Sequence, residues 1–271
     1  MRGSLLFLLL LAAFQPCQRH FPRELLQKPV TLSEPLKKRF PTTDRFLEAT
    51  EQLFVLGLVL YYVVDTYHLL EDRFPKDWQE VCKASWLPLD CKEIRNPVTG
   101  KPILEWKKDD PGAIWLEQKD GALYLAVRYY DLEARPIGKV IVERGKVQLT
   151  GPSMRPEERA AIRKLPDGVK GAGLIAGLLF PILEADLCAH DATWEDITAR
   201  YPVLKALRNP YTGEPLRPLF WKKGWKSPVQ KGEPGTFGVL WKQDTRGGWS
   251  PDILVFVEDG EELTEYLNRI L

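Results

Sequence analysis

The longest helical pattern in the chain runs from Asp44 to Phe74, and its centre, Leu53–Val64, is twelve residues without a charge. Glu48 and Glu51 precede it and Glu71, Asp72 and Arg73 follow it. A bilayer span needs roughly 20 apolar residues, so this pattern predicts a helix buried on most sides by its own domain. Beyond Pro75 the period changes. "AIWLEQ" and "ALYLAVRYY" flank Lys119-Asp120-Gly121, and Asp-Gly is a hairpin dipeptide that tolerates positive φ. Leu123, Leu125, Val127 and Tyr129 alternate onto one face, the period-two signature of a half-buried strand. "GKVIVE" and "GKVQLT" flank Arg144-Gly145 in the same way and predict a second hairpin.

The order then recurs. With Gly57 set on Gly173 and Trp78 on Trp194, 22 residues align without a gap. After a three-residue deletion "RNPVTGKP" (95–102) meets "RNPYTGEP" (208–215), identical at six of eight positions. "WKK" at Trp106 meets "WKK" at Trp221, and Pro111-Gly112 meets Pro234-Gly235. The expected fold is therefore α+β: two tandem copies of a helix packed on a small antiparallel sheet, spanning 43–150 and 151–271, with a seam near Gly151-Pro152. In the second copy Pro166 and Pro181 are expected to shorten or kink the helix. Its end, "EELTEYLNRIL", is expected to be a helix capped by Asp259, with Leu263, Leu267 and Ile270 on one side.

The N-terminus changes the picture of where the protein works. Arg2 is followed by ten unbroken apolar residues, Leu5–Phe14, too few to span a membrane and suited to a signal peptide over 1–17. Cys17 lacks the small residues before it that lipidation requires. Residues 18–42 carry Pro22, Pro29, Pro35 and Pro41 and read as an extended Pro-rich arm. The expected address is extracytoplasmic, with membrane contact only through the N-terminal segment. Cys82 and Cys91 enclose eight residues, a loop that a disulfide can close in an oxidising compartment.

The formal net charge is +1, so no global field recruits nucleic acid. No G-x-S-x-G, HExxH or P-loop occurs, and no cofactor is expected. Gly171-x-Gly173-x-x-Ala176 imitates a dinucleotide fingerprint but lacks the preceding strand; small residues for close packing are the expectation there. Cys188, His190 and Asp191 place a thiol, an imidazole and a carboxylate together, a candidate metal or thiol site short of the four ligands a structural zinc needs. Nine Trp raise a glycan reading, because flat aromatic faces stack on sugars. Trp221, Trp225, Trp241 and Trp249 are its candidates.

The repeated octet is a turn recipe. Pro97 and Pro210 fix φ for the second turn position, and Asn96 and Asn209 can bond the backbone two residues on. Thr99 and Thr212 precede Gly100 and Gly213, which supply a left-handed residue. The helix ending "YHLLEDRFPKDWQEV", the N-P-x-T-G-x-P turn and the short meander resemble the globular part of type II secretion pseudopilins and type IV pilin-like proteins. That resemblance implies a helix on a small antiparallel sheet and an assembly context; it transfers no functional residue. The functional expectation is an exported, non-catalytic interaction or assembly module with a protein partner. A glycan- or peptidoglycan-binding module using surface Trp comes second, and a hydrolase with an acidic site third.

Overall fold

The computed structural model describes residues 34–119, 122–130, 136–143, 156–186, 189–245 and 247–270. The expected signal peptide, most of the arm, the Arg144-Gly145 turn, the Gly151-Pro152 seam and Cys188 lie outside the described residues. The protein is α+β.

The end of the expected extended arm is a short helix instead, α1 (Glu34–Arg39), with Pro35 in its first turn, where a missing N–H costs no hydrogen bond. α2 (Thr43–Glu71) starts where the Thr42 side chain accepts from Arg45 N at 3.3 Å. It ends at Asp72, left-handed at φ 57°, whose N–H bonds His68 O. Leu53, Leu56, Leu60, Val63, Tyr67 and Leu70 form its buried stripe at alternating steps of three and four. α3 (Trp78–Val81) follows, N-capped by Asp77.

The first expected hairpin is present: β1 (Ile114–Lys119) and β2 (Ala122–Tyr130) pair antiparallel, and β3 (Pro136–Glu143) adds antiparallel to β2 in the order β1-β2-β3, while the partner strand expected for β3 lies outside the described residues. Lys119 faces Ala122, which leaves a two-residue connection.

In the second half α4 (Pro156–Arg163) leads to α5 (Asp167–Ala185). As expected, α5 is the shorter helix, 19 residues against 29 in α2, and Pro166 stands at its N-cap; Pro181 lies inside it without ending it. Pro181 falls in the last two turns, where it removes one intrahelical hydrogen bond from a helix held by Ala172, Ile175, Leu179 and Ile182 in the core. α2 and α5 are both long and apolar enough to cross a membrane by composition, yet half of each apolar window is buried inside the protein. They pack on each other, and one hydrophobic core runs through both halves of the chain.

α6 (Trp194–Arg200) opens with a capping box between Thr193 and Asp196. The second sheet is mixed rather than antiparallel: β4 (Pro218–Lys223) pairs parallel with β5 (Phe237–Gln243), which pairs antiparallel with β6 (Trp249–Val255). Segment 224–236 is long enough for the crossover that a parallel pair requires, about a dozen residues. A Cβ at Gly238 would lie 2.2 Å from the Phe220 ring, so β5 needs glycine where β4 lies against it.

α7 (Leu263–Ile270) closes the chain, but Asp259 does not cap it. Asp259 sits in the preceding turn at φ 60°, and the Glu262 side chain accepts from Thr264 N at 3.1 Å. Leu263 and Tyr266 form the buried face, Leu267 is partly buried, and Ile270 is exposed.

A disulfide joins Cys82 to Cys91 across a Cα separation of 6.0 Å. The loop it closes touches the second half directly. Asp90 N donates to Ala206 O at 2.8 Å, and Arg208 N donates to Pro88 O at 2.9 Å. Arg208 Nη2 reaches Asp90 Oδ2 at 3.2 Å. Reduction, or Cys82→Ser with Cys91→Ser, is expected to cost about 2–3 kcal/mol. Urea midpoints with and without reductant check this, and equal midpoints would refute it.

Candidate functional site

The two octets share their backbone and asparagine hydrogen bonds and differ at the arginine, where Arg95 donates to Gly100 O and Arg208 to Lys205 O. Gly100 N donates to Asn96 O at 2.7 Å, and Gly213 N to Asn209 O at 2.8 Å. Asn96 Oδ1 accepts from Val98 N and Thr99 N at 2.8 and 3.1 Å; Asn209 Oδ1 accepts from Tyr211 N and Thr212 N at 2.8 and 3.2 Å. Each Asn Nδ2 then donates at 2.9 Å to the proline carbonyl of the matching Pro-Gly, Pro111 or Pro234. Gly112 and Gly235 are left-handed, and a Cβ on either would strike the Asn Oδ1, at 2.7 and 2.0 Å. The polar groups of the turn are consumed by the fold. Pro97 and Pro210 sit inside it. Pro210 also packs on α5, where a Cβ at Gly171 would come within 2.6 Å of its Cβ, so Gly171 serves close packing, whereas Gly173 faces open space.

The turns launch the walls of two recesses. In the second half, the α6 start (Thr193, Trp194, Glu195) faces the β4 segment (Arg217, Trp221, Lys222, Lys223) across a recess of about 460 Å³. Trp194 and Trp221 stand 6.0 Å apart at 50°, and Trp194 also packs edge-on against Phe237 at 5.2 Å. Trp221 N–H is buried and has no acceptor among the described residues. His190 stacks on Trp249 at 5.1 Å and 14°, and Lys223 lies over the same indole at 4.8 Å.

In the first half, the α3 start (Asp77, Trp78) faces Trp106, Lys107 and Lys108 across a recess of about 300 Å³, closed by the beginning of β1. Trp78 N–H donates to Ile114 O at 2.8 Å, Trp106 N–H to Lys101 O at 2.7 Å, and Lys108 lies over Trp115 at 5.9 Å.

The metal or thiol candidate is placed only in part. His190 Nε2 lies 3.1 Å from Asp191 Oδ2, and Asp191 Oδ1 is also held by Lys223. That lysine's hydrogen bond holds the Asp191 carboxyl below its usual range. Among the described residues no group of three or more His, Cys, Asp or Glu can hold a metal ion. The glycan candidates separate as well. Trp225 is 70% exposed and Trp241 1%, while Trp221 and Trp249 are half-buried. Trp221 and Trp241 stand at 63°, so they offer walls rather than one flat platform.

A buried acidic cluster escaped sequence reasoning. Tyr201 O–H lies 3.0 Å from Glu51 Oε1 and 3.3 Å from Asp186 Oδ2, and Arg200 Nη1 pairs with Asp186 Oδ2. Burial raises the Glu51 pKa, opposed by the Tyr201 hydrogen bond and the Arg200 charge. Burial beside the same carboxylates raises that of Tyr201. Glu51 and Tyr201 lie on different halves of the chain, so no local spacing announces the cluster.

No family model, curated protein or solved structure matches the chain.

Proposed function

We propose that the protein is an extracytoplasmic, non-catalytic binding module built as a tandem pair, and that it takes saccharide in the recess between α6 and β4. The recess carries this reading. Its walls are Trp194 and Trp221, and its rim is Arg217, Lys222, Lys223 and Glu195. Apolar indole walls suit the C–H faces of a sugar, and rim charges suit its hydroxyls. The Cys82–Cys91 disulfide and the apolar Leu5–Phe14 segment support the address. The matched turns, with their matched Asn to Pro-Gly bonds, support the tandem pair.

Trp emission is expected to change saturably when the protein is titrated with soluble oligosaccharides, without product formation. Trp221→Ala removes the aromatic wall and is expected to weaken binding about tenfold or more. Trp225→Phe, outside the recess, is expected to leave it unchanged. Silence across neutral, amino and acidic oligosaccharides would remove the proposal. Docking to a protein of a secretion or pilus-like apparatus is the second reading. Leu219 at 44% and Trp225 at 70% exposure, both in the β4 region, support it.

A further inference from the structure

The two recesses share more than their walls. Trp78 and Trp194 each open the short helix, and each packs on the first residue of the strand after Pro-Gly-x, Ile114 or Phe237. Opposite them stand Leu104-Glu105-Trp106-Lys107-Lys108 and Leu219-Phe220-Trp221-Lys222-Lys223. Leu104 and Leu219 are 45% and 44% exposed, although one lies within a short helical turn (Ile103–Glu105) and the other on a strand. In both segments the Trp is half-buried and both lysines are exposed. The second lysine lies over an indole in each half, Lys108 over Trp115 and Lys223 over Trp249. The first, Lys107 or Lys222, has no side-chain ion pair among the described residues.

Packing alone does not require an unpaired cation beside an indole wall at both places. A solvated lysine is ordinary, but here each lies at the lip of a concave aromatic site. The charges agree in sign. The first recess collects Lys76, Lys107 and Lys108 against Asp77, whose side chain is occupied capping α3. The second collects Arg217, Lys222 and Lys223 against Asp191 and Glu195, with Asp191 already paired to Lys223. Each recess therefore offers an indole wall and at least one uncommitted cation. A neutral sugar uses the wall and leaves the cation idle. A sugar bearing a carboxylate uses both, through a charge-assisted hydrogen bond from the lysine.

We infer that the protein has two corresponding sites, at Trp78/Trp106/Lys107 and Trp194/Trp221/Lys222, and that each takes an acidic sugar unit, carboxylate towards the lysine and ring against the indoles. This rests on the saccharide reading above and adds a second site and a charge class. Two such sites on one chain fit an anionic polysaccharide, whose repeating units raise effective concentration once one site is filled.

The test is calorimetric titration of the full chain with trigalacturonate, against maltotriose and triglutamate. The expected result is two molecules of trigalacturonate bound per chain, with affinity falling as salt rises. Lys107→Glu and Lys222→Glu each weaken the affected site about tenfold or more and leave one site per chain at the original affinity. The double variant keeps no site of the original affinity. Both lysines are exposed, and thermal melts verify that the variants fold. Lys107→Arg and Lys222→Arg, which keep the charge, retain both sites.

One trigalacturonate per chain with no effect of Lys107→Glu overturns the second site. Maltotriose binding as tightly as trigalacturonate overturns the charge class and leaves the saccharide reading intact. Triglutamate binding in place of either sugar overturns the saccharide class. No binding of any probe overturns the inference. If neutral and amino oligosaccharides also leave Trp emission unchanged, the saccharide reading falls with it.

Discussion

Asn96→Ala is expected to destabilise the protein by about 3 kcal/mol, and Asn209→Ala by about half as much. Asn96 is 1% exposed, and its side chain satisfies Val98 N, Thr99 N and Pro111 O. Alanine at that position strands two part-buried donors and one buried acceptor, each costing on the order of 1 kcal/mol. Asn209 makes the same three bonds but is only half-buried, so water replaces part of what is lost. Asn96→Asp keeps the two accepted bonds and loses the one to Pro111 O, so it should fall between wild type and alanine. Urea midpoints of the three variants give the order directly. Costs within about 0.5 kcal/mol of zero, as for ordinary surface substitutions, would mean that the octets are not structural turns.

The octets could be read from the sequence because every instruction they carry is local: a proline φ, an Asn side chain reaching two residues on, a glycine at positive φ. The disulfide was legible for the same reason, two cysteines at short separation. The β1–β2 hairpin was legible from alternation and Asp-Gly. The parallel pairing of β4 and β5 was not, because strand direction depends on how segment 224–236 crosses the sheet, and side-chain periodicity is blind to direction. Pro166 was legible as the start of the shorter α5, whereas Pro181 is carried inside the helix by the core that holds α5 in place, which no local rule contains. The recesses were half legible. The WKK repeats and the Trp78–Trp194 match stood in the sequence, but that each WKK faces its helix start is a tertiary fact. Counting Trp alone pointed equally to Trp241, which is core. The Glu51–Tyr201–Asp186 cluster was invisible, since its members are brought together by the packing of α2, α5 and α6.

That cluster yields the second large effect. Arg200→Met is expected to cost about 3 kcal/mol, near the low end for breaking a buried pair, because the arginine side chain is 35% exposed while Asp186 is 5% exposed. The cost is that of a buried carboxylate deprived of its cation. Asp186→Asn combined with Arg200→Met should therefore recover much of it, and the double-mutant cycle measures the coupling. Additive costs would mean that the pair is idle.

Glu51 adds a pH signature. Its pKa is raised from 4.5 by burial, so the folded state holds that proton more tightly than the unfolded chain does. Its contribution to stability is present below pH 4.5 and is lost as pH rises through the folded-state value. Glu51→Gln keeps an acceptor for the Tyr201 O–H and cannot ionise. The stability of wild type relative to Glu51→Gln should therefore decline as pH is raised from 4 toward neutrality, with the change confined to the interval above 4.5. A flat difference would place Glu51 in solvent, and a rising one would mean that Arg200 governs Glu51 more strongly than burial does. A falling one ties α2 to the α5 and α6 ends through a carboxyl that is easier to keep protonated than charged. The two halves of the chain would then be joined by a contact that weakens as pH rises.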